Sequence, residues 1–159
     1  MTGTPASLLP EPSAVVPHRG DALLLDRIVA VDALHLAAIL RVRPGTTFSD
    51  AAGALPRWVA PEIMAQAVAA YAGCHALQQR GRASELGLLL GVRDLTMSLD
   101  SLAPGEDVRV EVCCTSADEE GRGVFDCRLL VAGEVIAAAT LTAFQPQDSE
   151  VLQRVLAAG

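Results

Sequence analysis

The chain contains no lysine: all twelve of its basic residues are arginines, set against nineteen acidic residues for a formal net charge of −7. Aromatic residues make up only 3% of it. An acidic, aromatic-poor surface argues against general nucleic-acid binding, which needs a basic footprint. There is no long uninterrupted apolar run. The stretch from Val59 to Leu77 comes nearest, and Pro61, Glu62, Gln66, Gly73 and His75 break it; that suits a buried helix rather than a membrane span. Metal-binding spacing is missing as well. Cys74, Cys113, Cys114 and Cys127 form no C-x-x-C pair, and adjacent Cys113 and Cys114 would point to opposite faces of a strand. His18, His35 and His75 share no ligand spacing, and no glycine-rich phosphate loop is present. The first residues lack a basic stretch followed by an apolar one, and prolines stand at 5, 10, 12 and 17. The expectation is a soluble, cytoplasmic protein that needs neither metal nor nucleotide.

What is there is apolar volume. Hydrophobic residues make up 51% of 159 residues, mostly Ala, Val and Leu, enough to bury one core without staples. Residues 1–14, rich in Pro and Ser, read as a flexible segment, 15–146 as the domain, and 147–159 as a tail with a short helix over 148–158, capped by Asp148 or Ser149. Within the domain an apolar run, Ala22–Val31, is followed by a strand over Leu36–Val42 that Pro44 and Gly45 end. Thr46–Trp58 is irregular. From Val59 to Arg80 the pattern is helical, with Pro61 tolerated in the first turn and Gly81 as the stop. Apolar residues cover nearly every side of this helix. Gly87–Leu95, Asp107–Thr115, Gly121–Val131 and Glu134–Phe144 then read as strands, the last two joined by the hairpin signal Ala132-Gly133.

A single helix that is apolar all round needs a sheet curved about it. The order strand, strand, helix, then several antiparallel strands therefore predicts an α+β hotdog fold, a bent antiparallel sheet wrapped around one long central helix.

Three segments carry a family resemblance. Val16-Pro17-His18-Arg19 with Leu23-Leu24-Leu25-Asp26-Arg27 is similar to the opening of the β-hydroxyacyl-acyl-carrier-protein dehydratases. Glu62-Ile63-Met64-Ala65-Gln66 resembles the Glu-x-x-Ala-Gln of their central helix. Leu90-Gly91-Val92 and Leu102-Ala103-Pro104-Gly105-Glu106 resemble landmarks further on. Pro-His-Arg-Gly, Trp58 and Gly123-Val124-Phe125-Asp126-Cys127 look closer still to the dehydratase-like proteins of aryl-polyene pigment clusters. One departure is plain. The fatty-acid enzymes carry a catalytic histidine in a Gly-His-Phe-Pro-Gly segment upstream of the helix acid, and here Phe48–Pro56 holds no histidine.

The resemblance implies a dehydratase acting on 3-hydroxyacyl groups carried on the phosphopantetheine arm of an acyl carrier protein. It also implies a homodimer or an oligomer of dimers, or pairing with another hotdog subunit. Such a reaction needs a base beside the carbonyl and an acid for the departing hydroxyl. Glu62 is the candidate acid, since apolar surroundings raise a carboxyl's pKa while the helix N-terminus opposes that shift. Gln66, at i+4, shares its face; it either orients Glu62 or is a buried amide bonded to backbone. His18 is the candidate base, against a structural role in the neighbouring loop. Asp50 sits where the missing histidine belongs, and turn formation is its plainer reading. Trp58 and Met64 are expected to line the cleft between His18 and Glu62. Arg19, with Arg27, Arg57 and Arg93, offers a positive rim, though each could equally be an ion-pair partner. Two rivals stay open: a hotdog thioesterase in which Glu62 or Asp50 activates water, and a catalytically silent hotdog subunit.

Overall fold

A computed structural model describes residues 8–81, 87–145, 154, 157 and 158. Among them the chain forms a six-stranded antiparallel sheet and one long helix. The strands are β1 (Arg27–Val31), β2 (His35–Arg41), β4 (Leu88–Met97), β6 (Asp107–Ala117), β7 (Arg122–Val131) and β8 (Glu134–Phe144), in the spatial order β1-β2-β6-β7-β8-β4. A minor pair, β3 (Leu55–Pro56) and β5 (Ser101–Leu102), lies apart. The helix α2 (Ala60–Arg80) packs against β2, β6, β7 and β8. This is the hotdog arrangement that the sequence predicts.

Period-two alternation explains why the sheet takes its helix on one face. Val108, Val110, Val112 and Cys114 of β6 are buried, as are Phe125, Cys127 and Leu129 of β7 and Ala137, Ala139 and Leu141 of β8. Between them, on the outer face, Glu111 accepts Arg109 Nε at 2.9 Å and Arg128 Nε at 2.6 Å. Burial alone would raise the Glu111 carboxyl's pKa; the two guanidiniums outweigh it and hold the group below the usual carboxylate range.

The helix is apolar because most of its surface is buried, all but the stripe through Ala65, Ala69 and Ala72 and the last turn. Ile63, Met64, Ala67, Val68, Ala70 and Cys74 are among its buried residues, and Gly81 ends it in the left-handed conformation with φ 73°. Gly73, in mid-helix, sacrifices about 1 kcal/mol of helix propensity. Its reason is close approach: a Cβ there would stand 2.7 Å from the Val15 Cβ and nearer still to the Val15 carbonyl oxygen. Val15 belongs to α1 (Pro12–Val15), a helical turn whose Pro12 and Val15 are buried. The N-terminal segment, expected to be loose through residue 14, is thus docked on α2 from Pro12 onward.

Two boundaries shift. The apolar run Ala22–Val31 is strand only from Arg27. Gly20–Ala22 forms a 3-10 turn, and Leu24 and Leu25 are buried in the extended lead to β1. Asp26 makes that lead permanent, since its carboxylate accepts the Arg41 N–H and, at 2.6 Å, an Arg43 guanidinium N–H. The Ala132-Gly133 hairpin has φ of 51° and 81°, the left-handed pair a tight two-residue turn demands. Of the tail helix expected over 148–158, all but Arg154, Ala157 and Ala158 lies outside the described residues; those three are helical.

Candidate functional site

The first turn of α2 carries Glu62, and the loop after α1 brings His18 to it. His18 Nε2 stands 2.9 Å from Glu62 Oε1, with the two side chains 33% and 32% exposed. Both therefore reach solvent or substrate without being free to wander. Arg19 fixes the loop: its Nη1 donates to the carbonyls of Val16 at 2.6 Å and His18 at 2.8 Å. The arginine thus shapes the backbone that presents His18.

Gln66 is fully buried, at 0% exposure, and is the sole polar residue so buried among the described residues. Its amide is saturated on three sides. Oε1 accepts the Leu24 N–H at 2.8 Å; Nε2 donates to the Ala22 carbonyl at 2.8 Å and to Glu62 Oε1 at 3.1 Å. The two readings of Gln66 therefore merge, because the same amide that satisfies backbone also holds Glu62. Three groups form one line, His18 to Glu62 to Gln66, rooted in the turn before β1.

His18 Nδ1 is buried without a hydrogen-bond partner. An imidazole nitrogen in that state forfeits the interaction it would have in water, which costs on the order of 1–3 kcal/mol. A carboxylate accepting Nε2–H leaves Nδ1 as the basic lone pair. With the proton on Glu62 instead, Nε2 is the acceptor and Nδ1 carries hydrogen. Only the second arrangement, with the proton on Glu62 and Nε2 as its acceptor, holds one acidic and one basic function in contact.

The pair opens onto an apolar groove with a volume of about 420 Å³, within the range usual for ligand sites. One wall is the α2 stripe of Ala65, Ala69, Ala72 and Ala76; the other comes from β6, β7, β8 and β4, including Cys114, Phe125 and Phe144. Tyr71 and His75 also line it. Burial is the main cause that raises the Tyr71 hydroxyl's pKa, so it stays protonated and donates to the Ala33 carbonyl at 2.7 Å. His75 Nε2 lies 3.1 Å from the Asp32 carbonyl.

Two residues expected in the cleft are elsewhere. Met64 points into the core at 0% exposure, and Trp58 is 64% exposed with its ring edge-on to Phe48 at 6.5 Å; neither lines the groove. The helical period explains Met64, two positions from Glu62 and so on another side of α2. Asp50 is a turn-former: its carboxylate accepts the N–H groups of Ala52 and Ala54. Arg57 bonds the Met97 carbonyl and pairs with Asp100 at 3.5 Å. The groove lining by Tyr71, Phe125, Phe144 and Cys114 escaped the sequence reading; the available signals were the scarcity of aromatic residues and the Gly123–Cys127 motif that holds Phe125. A broader depression of about 970 Å³ on the outer sheet face is lined by the paired charges of Arg109, Glu111 and Arg128. Among the described residues, no group of three His, Cys, Asp or Glu could hold a metal ion, and no helix is long and apolar enough to cross a membrane.

A family model for ApeP-like proteins, described as ApeP dehydratase, matches residues 10–154. The solved dehydratase heterocomplex ApeI:P from Xenorhabdus doucetiae contains a chain 26% identical to this one, with a TM-score of 0.83, over 92% of this chain and 97% of that one. Fold alone is shared with the PaaI protein of the E. coli phenylacetic acid degradation operon (13% identity, TM-score 0.55, 74% and 81% of the chains) and with zebra fish thioesterase superfamily member 2 (11%, 0.54, 75% and 80%). No curated protein matches the sequence.

Proposed function

Because the chain belongs to the ApeP-like dehydratase family, we propose that it removes water from 3-hydroxyacyl thioesters borne by an acyl carrier protein, with His18 and Glu62 as the proton-transfer pair. The observation that carries this reading is their 2.9 Å contact at the head of an apolar groove. His18 takes the proton from the carbon next to the thioester carbonyl. Glu62, in its acid form, gives a proton to the hydroxyl one carbon further, which leaves as water while the carbon–carbon double bond forms. His18 then holds one proton more and Glu62 one fewer. Transfer across their hydrogen bond restores the starting state, so the direct contact makes the pair self-resetting. Gln66 keeps Glu62 aimed by donating to Oε1. The elimination changes no oxidation state overall, so a resident redox group has no part to play.

The test is turnover of a 3-hydroxyacyl carrier thioester by Glu62→Gln and His18→Ala. Each should lose about 10²–10⁴-fold, the usual worth of a positioned acid or base. Undiminished turnover in either would remove that residue from the chemistry. Equal turnover of carrier-bound and free thioesters would remove the carrier from the reading.

The partner surface is the free edge of β4. Its residues are nearly all exposed, Leu90 to 48%, with Leu89, Val92 and Leu95 beside it. An apolar edge with unpaired backbone groups invites another strand. The similar chain in the ApeI:P structure belongs to a dehydratase heterocomplex, which favours a second hotdog chain on this edge. Light scattering of this chain alone and co-expressed with such a subunit tests it; a monomer in both preparations would refute the pairing.

A further inference from the structure

The chain has five aromatic residues, and three of them, Tyr71, Phe125 and Phe144, line the groove that begins at His18 and Glu62. The other two, Phe48 and Trp58, meet each other outside it. By the helix rise, Tyr71 stands about 13 Å along α2 from Glu62, and the groove continues past it to Gln79, about 25 Å from Glu62. The Tyr71 ring, with Phe125 against it, thus stands about midway along the groove.

Their positions are fixed. Tyr71 is tethered through its hydroxyl to the Ala33 carbonyl, tilts against His75 at 4.3 Å and meets Phe125 edge-on at 5.4 Å. Phe125 owes its seat to an absence. A Cβ on Gly123 would lie 2.7 Å from Phe125 Cε2 and 3.0 Å from Cζ, so the ring occupies the room that any other residue's side chain would fill. Gly123 has no left-handed φ. Its backbone would accept alanine, and the ring is what would have to yield.

We propose that the corner formed by Gly123, Phe125 and Tyr71 determines which acyl chain lengths the site accepts, as the wall against which the distal carbons of a long acyl tail pack. This rests on the reading of the groove as the acyl site. A butanoyl group held at His18 and Glu62 ends short of the corner; a dodecanoyl tail running along α2 meets it. Phe125, 6% exposed, meets the groove with part of its apolar ring, and moving that ring costs contacts that only the longer tail makes.

The test compares 3-hydroxybutanoyl and 3-hydroxydodecanoyl thioesters on wild type, Gly123→Ala and Phe125→Leu, together with calorimetric binding of a non-reactive dodecyl thioether to each. Both variants should lose about tenfold or more in thioether affinity and in the ratio of dodecanoyl to butanoyl kcat/KM, the scale of a misfitted apolar pocket. Equal losses for both substrates, or none, would overturn the inference and leave the dehydratase reading intact. So would wild-type turnover of the butanoyl substrate without any thioether binding. Thioether binding that weakens in the variants while no protein turns over either substrate would support the corner and sink the dehydratase reading.

Discussion

Replacing Gln66 by leucine isolates the amide that ties the candidate site to the fold. The side chain is wholly buried and makes three hydrogen bonds. Leucine leaves the Leu24 N–H without an acceptor in a buried setting, and the Ala22 carbonyl without a donor in a partly buried one. Each orphaned group costs about 1–3 kcal/mol, the second toward the low end. The apolar side chain returns on the order of 1 kcal/mol through its own burial. The net loss is about 1–3 kcal/mol, a sizeable share of the 5–15 kcal/mol typical of a domain. For a chain of this size it should lower Tm by roughly 3–10 °C. Urea denaturation at one fixed protein concentration is the assay, because pairing with another chain would shift apparent stability. Glu62→Gln is the control: its amide oxygen still accepts from Gln66 Nε2, so stability should stay within about 1 kcal/mol of wild type. A loss under about 1 kcal/mol in Gln66→Leu would refute the claim that this amide carries the turn before β1.

Packing also sets the stability of the helix and the reactivity of the buried thiols. Gly73→Ala should destabilise by about 1–3 kcal/mol although alanine is the better helix former, because the new methyl meets the Val15 backbone; a neutral or raised Tm would mean that α1 is not docked there. Burial raises Cys127 from its ordinary 9.0 to about 12 and Cys74 to about 11. At pH 8 both thiols should resist iodoacetamide in the native protein and react after unfolding in urea, read by mass spectrometry. A thiol whose folded pKa is raised contributes stability that is complete below pH 9 and is lost as pH rises toward 11–12. Alkaline unfolding should therefore be steeper in wild type than in Cys127→Ala.

Legibility in the sequence followed the range of the physics. The enclosed helix was readable because its cause is local: apolar residues on every side from Val59 to Arg80 have one solution, burial under a curved sheet. Strands β6 to β8 were readable through their period of two, and the Ala132-Gly133 turn through the backbone conformation it demands. Glu62 and Gln66 could be placed on one face by spacing alone. Contact between His18 and Glu62 could not, since forty-four positions separate them and no local rule measures that distance; only the docking of α1 on Gly73 and the Arg19 clamp on its loop bring the imidazole to the helix. The same limit misplaced Trp58 and Met64, which lie near Glu62 in the chain but on other faces, and hid Tyr71, Phe125 and Phe144, which lie far apart in the chain but in one groove. Periodicity determines which residues leave water. Which of them then share a cavity is decided by tertiary packing, because a cavity is bounded by elements whose separation in sequence carries no information about their separation in space.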